Sequence, residues 1–485
     1  MVRVNSVLER YPEYEAVIGM EVHVQLTTES KIFCSSENHV SPDPNVNICI
    51  VCAGYPGILP TLNKKVIDCA IAAGLATNCA ISQHSHFDRK HYFYPDLPKG
   101  YQITQQFEPI CRSGHILIIT DDGSTKKIRI NRIHIEEDAG KNIHSDLSQA
   151  SFVNLNRAGT PLLEIVSEPD LSSAHDTRAY LKSLRAIVQY LGICTGNMED
   201  GAFRADTNIS VRKKGVQTLG TKCELKNINS FKFIADAVDY EIERQINMLE
   251  DGGKIRQETR LWDSVNRRTV VMRSKEEATD YRYFQDPDLP VVELNDEWIG
   301  AIKAQLPELP HEKYARFCKQ GLTEYEADIL IEDKDLADYF DSAWALCQSP
   351  LLINWVLRDV MGYLKDNKIT IQEFKVTPER LAQLIAMIQE GAINNNVAKE
   401  VFELVAQTGA QPVAIVEEKG LKQIGSVEEL ETIIKTIVDQ NPTQVAEYKS
   451  GKERLFGFFV GKAMQLTKGK GNPVVINDLL KKYLS

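Results

Sequence analysis

The chain has 485 residues, a formal net charge of −11, and a composition of 43% hydrophobic and 25% charged residues. This length allows about two to four domains with cores of their own. No run approaches the roughly 20 apolar residues of a membrane span, and the negative charge argues against a general nucleic-acid binder without excluding a local basic surface. Ten scattered cysteines indicate a reducing, cytoplasmic compartment, and the early acids Glu9, Glu13 and Glu15 argue against a targeting peptide.

Several predicted strands in the first half carry acids, histidine or asparagine on one face. A period of two places alternate residues of a strand on the same side. These strands cover residues 19–25, 132–136, 203–210 and 221–226. Their polar faces carry, in chain order, Glu21, His23 and Gln25; Arg132, His134 and Glu136; Arg204, Asp206, Asn208 and Ser210; and Lys222, Glu224 and Lys226.

If these strands share one sheet, one side is an apolar core and the other is a wall of oxygen and nitrogen ligands. Such a wall suits Mg²⁺ and phosphate. The alternative is the solvated face of ordinary half-buried antiparallel strands. Asp206 and Asn208 are poor strand formers in the middle of a strand, so either a metal or phosphate site or a bend must explain them.

A few helices are predicted in this region, and the chain is predicted to be almost wholly helical after about residue 295. The pattern predicts a helix over 171–191, ended by Gly192, and another over 230–250 with Ser230 as its N-cap. Thr377 and Pro378 are typical of an N-cap followed by the first helical position. The chain contains no Walker A sequence and no Gly-x-Ser-x-Gly elbow, so any ATP chemistry must use a different cradle.

The last part of the chain is basic. Between Thr443 and Ser485, eight lysines and arginines stand against three acids. Residues 468–473 read as a flexible basic turn between two helices. A solubilising tail and a surface that contacts a phosphate backbone both remain open.

Six segments resemble the B subunits of the heterotrimeric, tRNA-dependent amidotransferases, the GatCAB complexes. The resemblance extends along essentially the whole chain. The segments cover residues 19–23, 87–96, 135–141, 156–169, 224–230 and 280–284.

The resemblance implies an α+β fold in three parts. The first is a cradle domain over 1–294, built on a largely antiparallel sheet with helices, which carries the kinase and transamidase activity. An all-α helical domain over 295–408 and an all-α, YqeY-like, tRNA-binding tail over 409–485 follow it.

The implied activity is that of a ligase that forms a carbon–nitrogen bond with glutamine as amide donor. ATP with Mg²⁺ phosphorylates the side-chain carboxylate of Glu-tRNA(Gln), Asp-tRNA(Asn) or both, and ammonia released by the amidase, or A, subunit then amidates it. The small C subunit completes the implied heterotrimer. The alternative is a non-catalytic, tRNA-binding scaffold of the same assembly, in which the polar wall is only a surface.

The resemblance also implies site residues. The implied Mg²⁺ ligands are Glu21, His23, Glu136 and Glu164, with Asp206 as a further ligand or a neighbouring carboxylate. Strand alternation favours Glu136, which is also expected to act in catalysis, over Glu137. Lys90, Arg204 and Lys226 are expected to act in catalysis, with Lys90, Arg204 and Asn208 binding the nucleotide; salt bridges to nearby acids are the alternative for the three cations.

A possible zinc site departs from the family pattern. Some members carry Cys-x-Cys followed by Cys-x-x-Cys in the first loop. Here Cys34, Cys49 and Cys52 remain, but Ser36 replaces the second cysteine. Serine is a poor zinc ligand, which counts against zinc; His39 is the remaining substitute, and both states of the loop stay open.

Overall fold

The structure is a computed structural model that describes residues 7–144, 150–274, 280–421, 427–467 and 471–484. The chain divides into two compact units, Met1–Lys313 and Tyr314–Ser485. The first contains sheets with helices and the second is helical, which confirms the predicted α+β class. The predicted boundaries at 294/295 and 408/409 stay predictions. The helix Asp296–Ala304 packs in the first unit, where Trp298 Nε1 donates a 2.8 Å hydrogen bond to Asp68.

The first unit contains all sixteen described strands. They are β1 Tyr14–Gln25, β2 Ala80–Ile81, β3 His84–Ser85, β4 Asp88–His91, β5 Tyr101–Thr104, β6 Cys111–Ile119, β7 Thr125–Glu137, β8 Lys141–His144, β9 Ser151–Asn154, β10 Pro161–Ser167, β11 Phe203–Lys213, β12 Cys223–Lys226, β13 Glu258–Asp263, β14 Arg268–Ser274, β15 Phe284–Gln285 and β16 Val292–Glu293.

Nine of these strands form the main sheet, in the order β14-β13-β12-β11-β1-β10-β7-β6-β2. Every neighbouring pair in it is antiparallel except β12 and β13. The predicted strands with polar faces therefore share one sheet, which was the condition for a common polar wall. A three-stranded sheet, β15-β4-β5, and two two-stranded sheets, β16-β3 and β8-β9, complete the unit.

The helices of the first unit cover one face of the main sheet. They are α1 Val7–Arg10, α2 Lys64–Ala76, α3 Ala174–Tyr190, α4 Phe231–Glu250, α5 Asp296–Ala304 and α6 Pro310–Lys319, of which α6 crosses into the second unit. The apolar residues of the strands alternate with polar ones, so Val22 and Val24 of β1 are fully buried in the core against these helices. The opposite face of the central strands is left to polar side chains.

The predicted helix boundaries hold with small shifts. α3 begins at Ala174 rather than at residue 171, because the side chain of Ser173 caps it by accepting the N–H of Asp176 at 3.0 Å. Ser230 occupies the N-cap position of α4 as predicted but makes no side-chain capping bond. In the helix Pro378–Gln389, the side chain of Thr377 accepts the N–H of Arg380 and Pro378 is the first helical residue, which confirms that prediction.

The second unit consists of helices. They are α7 Glu324–Ile331, α8 Lys334–Cys347, α9 Pro350–Asn354, a π-helical segment Trp355–Val360, α10 Met361–Asn367, α11 Pro378–Gln389, α12 Asn395–Thr408, α13 Pro412–Glu418, α14 Val427–Gln440, α15 Pro442–Lys449, α16 Leu455–Leu466 and α17 Pro473–Leu484. The last four surround a hydrophobic cluster of their own. Half of the predicted basic turn, residues 468–470, lies outside the described residues. Among the described helices, none is long and apolar enough to cross a membrane.

Candidate metal and phosphate site

A row of polar residues crosses the four central strands at one level. His134 of β7 lies opposite Glu164 of β10, Glu164 lies opposite His23 of β1, and His23 lies opposite Arg204 of β11. Directly opposed residues of antiparallel strands share a face and lie close together. The register therefore builds one continuous polar strip from residues that are far apart in sequence.

The first group of potential ligands is the His–Glu cluster, which consists of His23, Glu136 and Glu164. Their ligand atoms all lie within 4.8 Å of one another. His23 Nε2 is 3.5 Å from Glu164 Oε2 and 3.8 Å from Glu136 Oε1. The neighbouring His134 Nε2 lies 3.2 Å from the same Glu164 oxygen. Two carboxylates and two imidazoles thus converge on one small volume.

The electrostatics of the cluster follow from burial opposed by ion pairing. Burial alone would lower the pKa of His134, but Glu164 and Glu136 raise it to about 9. Burial also opposes the charge of His23, and Glu164 together with Glu136 holds its pKa above the ordinary value. In Glu164, burial is outweighed by His134 and His23, which hold its pKa well below the usual range. The raised pKa values of the two histidines and the lowered pKa of Glu164 have the same cause, which is the close approach of imidazole and carboxylate.

The second group is the Asp–Glu cluster, which consists of Glu21, Asp206 and Glu224. Its ligand atoms also lie within 4.8 Å of one another. Lys226 Nζ is 2.6 Å from Asp206 Oδ2 and 3.3 Å from Glu224 Oε1, and Asn208 donates a 3.1 Å hydrogen bond to Glu21. Burial first, then the charge of Glu164, raises the pKa of Glu21. Glu21 and His23 stand two residues apart on β1, so one strand contributes to both clusters.

Two cationic side chains beside the clusters keep unused donors. Arg204 Nη2 donates to Asp138 at 3.0 Å, but its buried Nε has no hydrogen-bond partner among the described residues. Lys90 makes no ion pair within 4.0 Å in the described part of the chain; its Nζ lies 4.9 Å from the ring centroid of Tyr281. Burial would lower the pKa of Lys90, but the charges of Glu136 and Glu164 raise it. Both groups can therefore accept an anion.

Glu137 takes a different role from Glu136. Its carboxylate accepts hydrogen bonds from Lys99 Nζ and, at 2.9 Å, from the backbone N–H of Ile103. Glu136 instead accepts a single 3.3 Å hydrogen bond from Thr104 and faces His23. Adjacent residues of β7 thus differ in their partners. Glu137 is held by close hydrogen bonds from the protein, and Glu136 has only longer contacts.

Both clusters have the chemistry that Mg²⁺ requires. Mg²⁺ prefers oxygen ligands and usually binds through one or two carboxylates with substrate phosphates. The His–Glu cluster offers two carboxylates with long contacts, and the Asp–Glu cluster offers three around a single lysine. The residues present therefore fit a divalent cation in either place.

The three predicted zinc candidates also meet, in the loop before α2. The sulfur atoms of Cys34, Cys49 and Cys52 lie within 4.8 Å of one another. The fourth position holds Ser36, whose Oγ is 3.8 Å from Cys52 Sγ. The hydrogen bond from Cys34 lowers the pKa of Cys52 well below its ordinary value, with help from the backbone of Cys49 and from Lys31. His39 is paired instead with Glu37 at 3.2 Å.

The structure brings together most of the residues singled out from the sequence and adds three. Glu21, His23, Glu136, Glu164, Arg204, Asp206, Asn208 and Lys226 lie on one face of the sheet. Lys226 and Arg204 have the acidic partners that the salt-bridge alternative required, whereas Lys90 has none in the described residues. His134, Glu224 and Asp138 were assigned no role from the sequence. The alternation of β7 and β12 already placed the first two on the polar face.

The fold and this face define an α+β protein whose main sheet carries two metal-ligand groups beside cationic side chains. Comparison with known proteins shows the family of the chain. Residues 16–300 match the family model described as the GatB/GatE catalytic domain, and residues 338–484 match the model described as the GatB domain.

Close relatives align with nearly the whole chain. A protein of Trichlorobacter lovleyi is 52% identical over 97% of this chain and 99% of its own length. A protein of Brachyspira hyodysenteriae is 51% identical over 98% of this chain and 100% of its own. Both are named as the B subunit of an aspartyl/glutamyl-tRNA(Asn/Gln) amidotransferase. The chain therefore belongs to the GatB/GatE family, which confirms the resemblance found in the sequence.

Proposed function

We propose that the chain is the B subunit of a tRNA-dependent amidotransferase and that the polar face of its main sheet is the site of ATP-dependent carboxylate activation. The relatives' names supply the substrate class, tRNA carrying aspartate or glutamate. The partners are an amidase subunit that releases ammonia from glutamine and a small third subunit. The observation that carries the proposal is the His–Glu cluster beside two cationic side chains with unused donors.

The chemistry explains why such a face is needed. A carboxylate is a poor acyl donor, because oxide is a very poor leaving group. Transfer of the γ-phosphoryl group of ATP to a carboxylate oxygen yields an acyl phosphate and ADP. Ammonia then attacks the carbonyl carbon, inorganic phosphate leaves, and the nitrogen loses a proton to give the amide. Both steps develop negative charge on oxygen atoms that fixed donors and cations can stabilise.

The residues divide these tasks by position. Lys90 and Arg204 hold the transferred phosphoryl group or the substrate carboxylate with their unused N–H donors. Asn208 keeps Glu21 oriented toward the Asp–Glu cluster, and it would contact a phosphate of the nucleotide bound on the same face. Lys226, paired with two acids, limits their mutual repulsion until a ligand arrives.

Magnesium is the cofactor that this donor set fits best. Glu136, Glu164 and His23 would hold one ion, and Glu21, Asp206 and Glu224 would hold a second. When bound, Mg²⁺ neutralises charge that develops on phosphate oxygens. His134 then positions Glu164 by a hydrogen bond to the oxygen that also faces His23.

The experiment is an ATP-hydrolysis assay on the chain assembled with its amidase and small subunits. Misacylated tRNA and correctly acylated tRNA are compared in parallel, with and without Mg²⁺. We expect hydrolysis to be stimulated by misacylated tRNA alone, to require Mg²⁺, and to fall by about 100-fold or more in Glu136→Gln. Glu243→Gln, on the exposed side of α4 and paired with Arg10, is the matched control and should keep full activity.

Two results would reject the kinase role. One is tRNA binding without stimulated hydrolysis in an intact complex, which would leave a tRNA-binding scaffold. The other is full activity of Glu136→Gln. Lys90→Met tests anion binding separately and should raise the KM for ATP or for misacylated tRNA while the complex stays assembled.

A further inference from the structure

A second reactive centre lies away from the carboxylate clusters, in the loop that leads to α2. Cys52 Sγ accepts the backbone N–H of Cys49 at 3.1 Å and lies 3.9 Å from Cys49 Sγ. Cys34 and Ser36 approach the same sulfur. Cys52 is buried, whereas Cys34 and Cys49 are half-buried. This arrangement of thiols does not depend on the proposed function.

A lysine is buried against this group. The side chain of Lys31 is fully buried, with Nζ 3.6 Å from Cys52 Sγ and 3.5 Å from the carbonyl oxygen of Leu155. No carboxylate of the described residues lies within 4.0 Å of this ammonium group. An isolated buried charge is costly, and a thiolate at Cys52 is the anion that the surroundings offer. The thiol of Cys34, the N–H of Cys49 and Lys31 thus act together to stabilise that thiolate.

Zinc fits this site poorly. Structural zinc takes four cysteine or histidine donors in a tetrahedron. The loop offers three sulfur atoms, one serine hydroxyl and an ammonium group that would repel a dication. Lys31 places a positive charge next to the sulfur atoms, where a bound metal ion would otherwise place it.

The space beside the sulfur atoms is small. A cavity of about 10 Å³ is lined by Cys34 and Cys52, among others. That is close to the space one water molecule needs. A cavity of this size favours a small oxidant over a bulky tripeptide disulfide.

We propose that Cys49 and Cys52 form a peroxide-reactive dithiol. The Cys52 thiolate attacks one oxygen of a hydroperoxide; the O–O bond breaks, sulfur is oxidised by two electrons, and hydroxide leaves, or alkoxide from an organic peroxide. The resulting sulfenic acid is then attacked by the Cys49 thiol. An S–S bond forms, and the sulfenic hydroxyl leaves as water with the proton of Cys49. The net reaction converts two thiols and one peroxide into a disulfide and two molecules of water, or one of water and one of alcohol.

Hydrogen peroxide is the probe, and the full chain is the sample. The Cys34→Ser variant leaves only two cysteines in the tryptic peptide Ile32–Lys64. After oxidation, the remaining thiols are blocked with N-ethylmaleimide, and the mass of the peptide is measured by mass spectrometry. We expect it to lose two hydrogen atoms and to escape blocking. The rate at which hydrogen peroxide oxidises Cys52 should exceed the rate at which it oxidises the half-buried Cys318 and Cys347 by about tenfold or more.

Two variants identify the roles of the residues. Cys49→Ser should stop the reaction at a sulfenic acid on Cys52 that dimedone traps. Lys31→Met keeps the length and burial of the side chain without the charge, and should slow oxidation of Cys52 by about tenfold. Far-ultraviolet circular dichroism checks that each variant is folded.

Either of two findings would overturn the proposal. One is stoichiometric zinc in the purified chain, measured by elemental analysis, with removal of zinc needed before the thiols react. The other is oxidation of Cys52 no faster than that of Cys318 in the folded, zinc-free protein. Loss of reactivity in Lys31→Met with retained folding supports the lysine's role, and an unchanged rate removes it.

Discussion

Two groups of buried carboxylates in the first unit differ in how completely the protein satisfies them. Glu241 of α4 is fully buried, and Arg244 donates two hydrogen bonds to it at 2.7 and 2.9 Å. Gln245 and Thr269 add donors at 2.9 and 3.0 Å. The carboxylates of the His–Glu cluster face imidazoles at 3.2 to 3.8 Å. A saturated carboxylate stabilises the fold, whereas one with long contacts keeps lone pairs for a ligand.

The pKa values of Glu241 and of Glu21, which belongs to the Asp–Glu cluster, shift in opposite directions. Burial would raise the pKa of Glu241, but Arg244 outweighs it and lowers the pKa. In Glu21 burial prevails, and the pKa stays above its ordinary value. Ionised Glu241 therefore stabilises the folded chain, and ionised Glu21 destabilises it. The two regions should respond to the loss of one charge in opposite directions.

The largest expected effect is at Glu241. Glu241→Gln leaves the half-buried Arg244 without its carboxylate partner and leaves the buried Arg260 with Glu258 alone, and we expect it to lower the free energy of unfolding by about 3–5 kcal/mol. Equilibrium urea unfolding of the whole chain measures the change. Glu243→Gln on the same helix is the control, with an expected change below about 0.5 kcal/mol. Equal changes in the free energy of unfolding in the two variants would contradict the view that the hydrogen-bonded, buried Glu241 stabilises the fold more than the more exposed Glu243 does.

The next effect is stabilisation by magnesium. If the clusters bind Mg²⁺ only in the folded state, the ion at ten times its Kd should raise the free energy of unfolding by about 1.4 kcal/mol for each occupied site. Urea unfolding with Mg²⁺ or with a chelator measures this gain, which should shrink in Glu136→Gln and persist in Glu243→Gln. A gain of the same size in both variants would place the ion elsewhere.

The smallest effect is at Glu21. We expect Glu21→Gln to raise the free energy of unfolding of the metal-free chain by about 0.5–1 kcal/mol at pH 7, because glutamine keeps the acceptor for Asn208 and removes the buried charge. A carboxyl group whose pKa is raised by folding destabilises the folded state at a pH above its folded-state pKa. It has no such effect at a pH below its unfolded-state pKa. The gain should therefore disappear as the pH falls below the ordinary value of 4.5. Destabilisation by Glu21→Gln at pH 7 would contradict this view of the cluster.

Much of the fold and of the face was predictable from the sequence because both depend on a period of two. Alternation placed Glu21 and His23 on one side and separated Glu136 from Glu137, and the structure bears out both assignments. Asp206 and Asn208 were conspicuous because such residues disfavour strands. Their neighbours across the sheet, Glu21 and Glu224, show what they approach.

The remaining features depend on strand order and on long-range contacts. The division of the acids into two clusters follows from the position of β1 between β10 and β11, which no local pattern encodes. Asp138, which anchors Arg204, lies one residue beyond the end of β7, where alternation no longer applies. The burial of Lys31 against Cys52 joins residues whose relation is set by the path of a loop.

Because β1 contributes to both clusters, the site is more sensitive to a change in the length of this strand than to a change in the identity of one of its residues. Glu21 serves one cluster and His23 the other, and both are held in place by pairing on each side of the strand. A single-residue insertion or deletion just before Glu21 would turn both side chains into the core and bring valines out. Codon-level deletions in this strand should therefore be far rarer among functional variants than substitutions, whatever residue is removed.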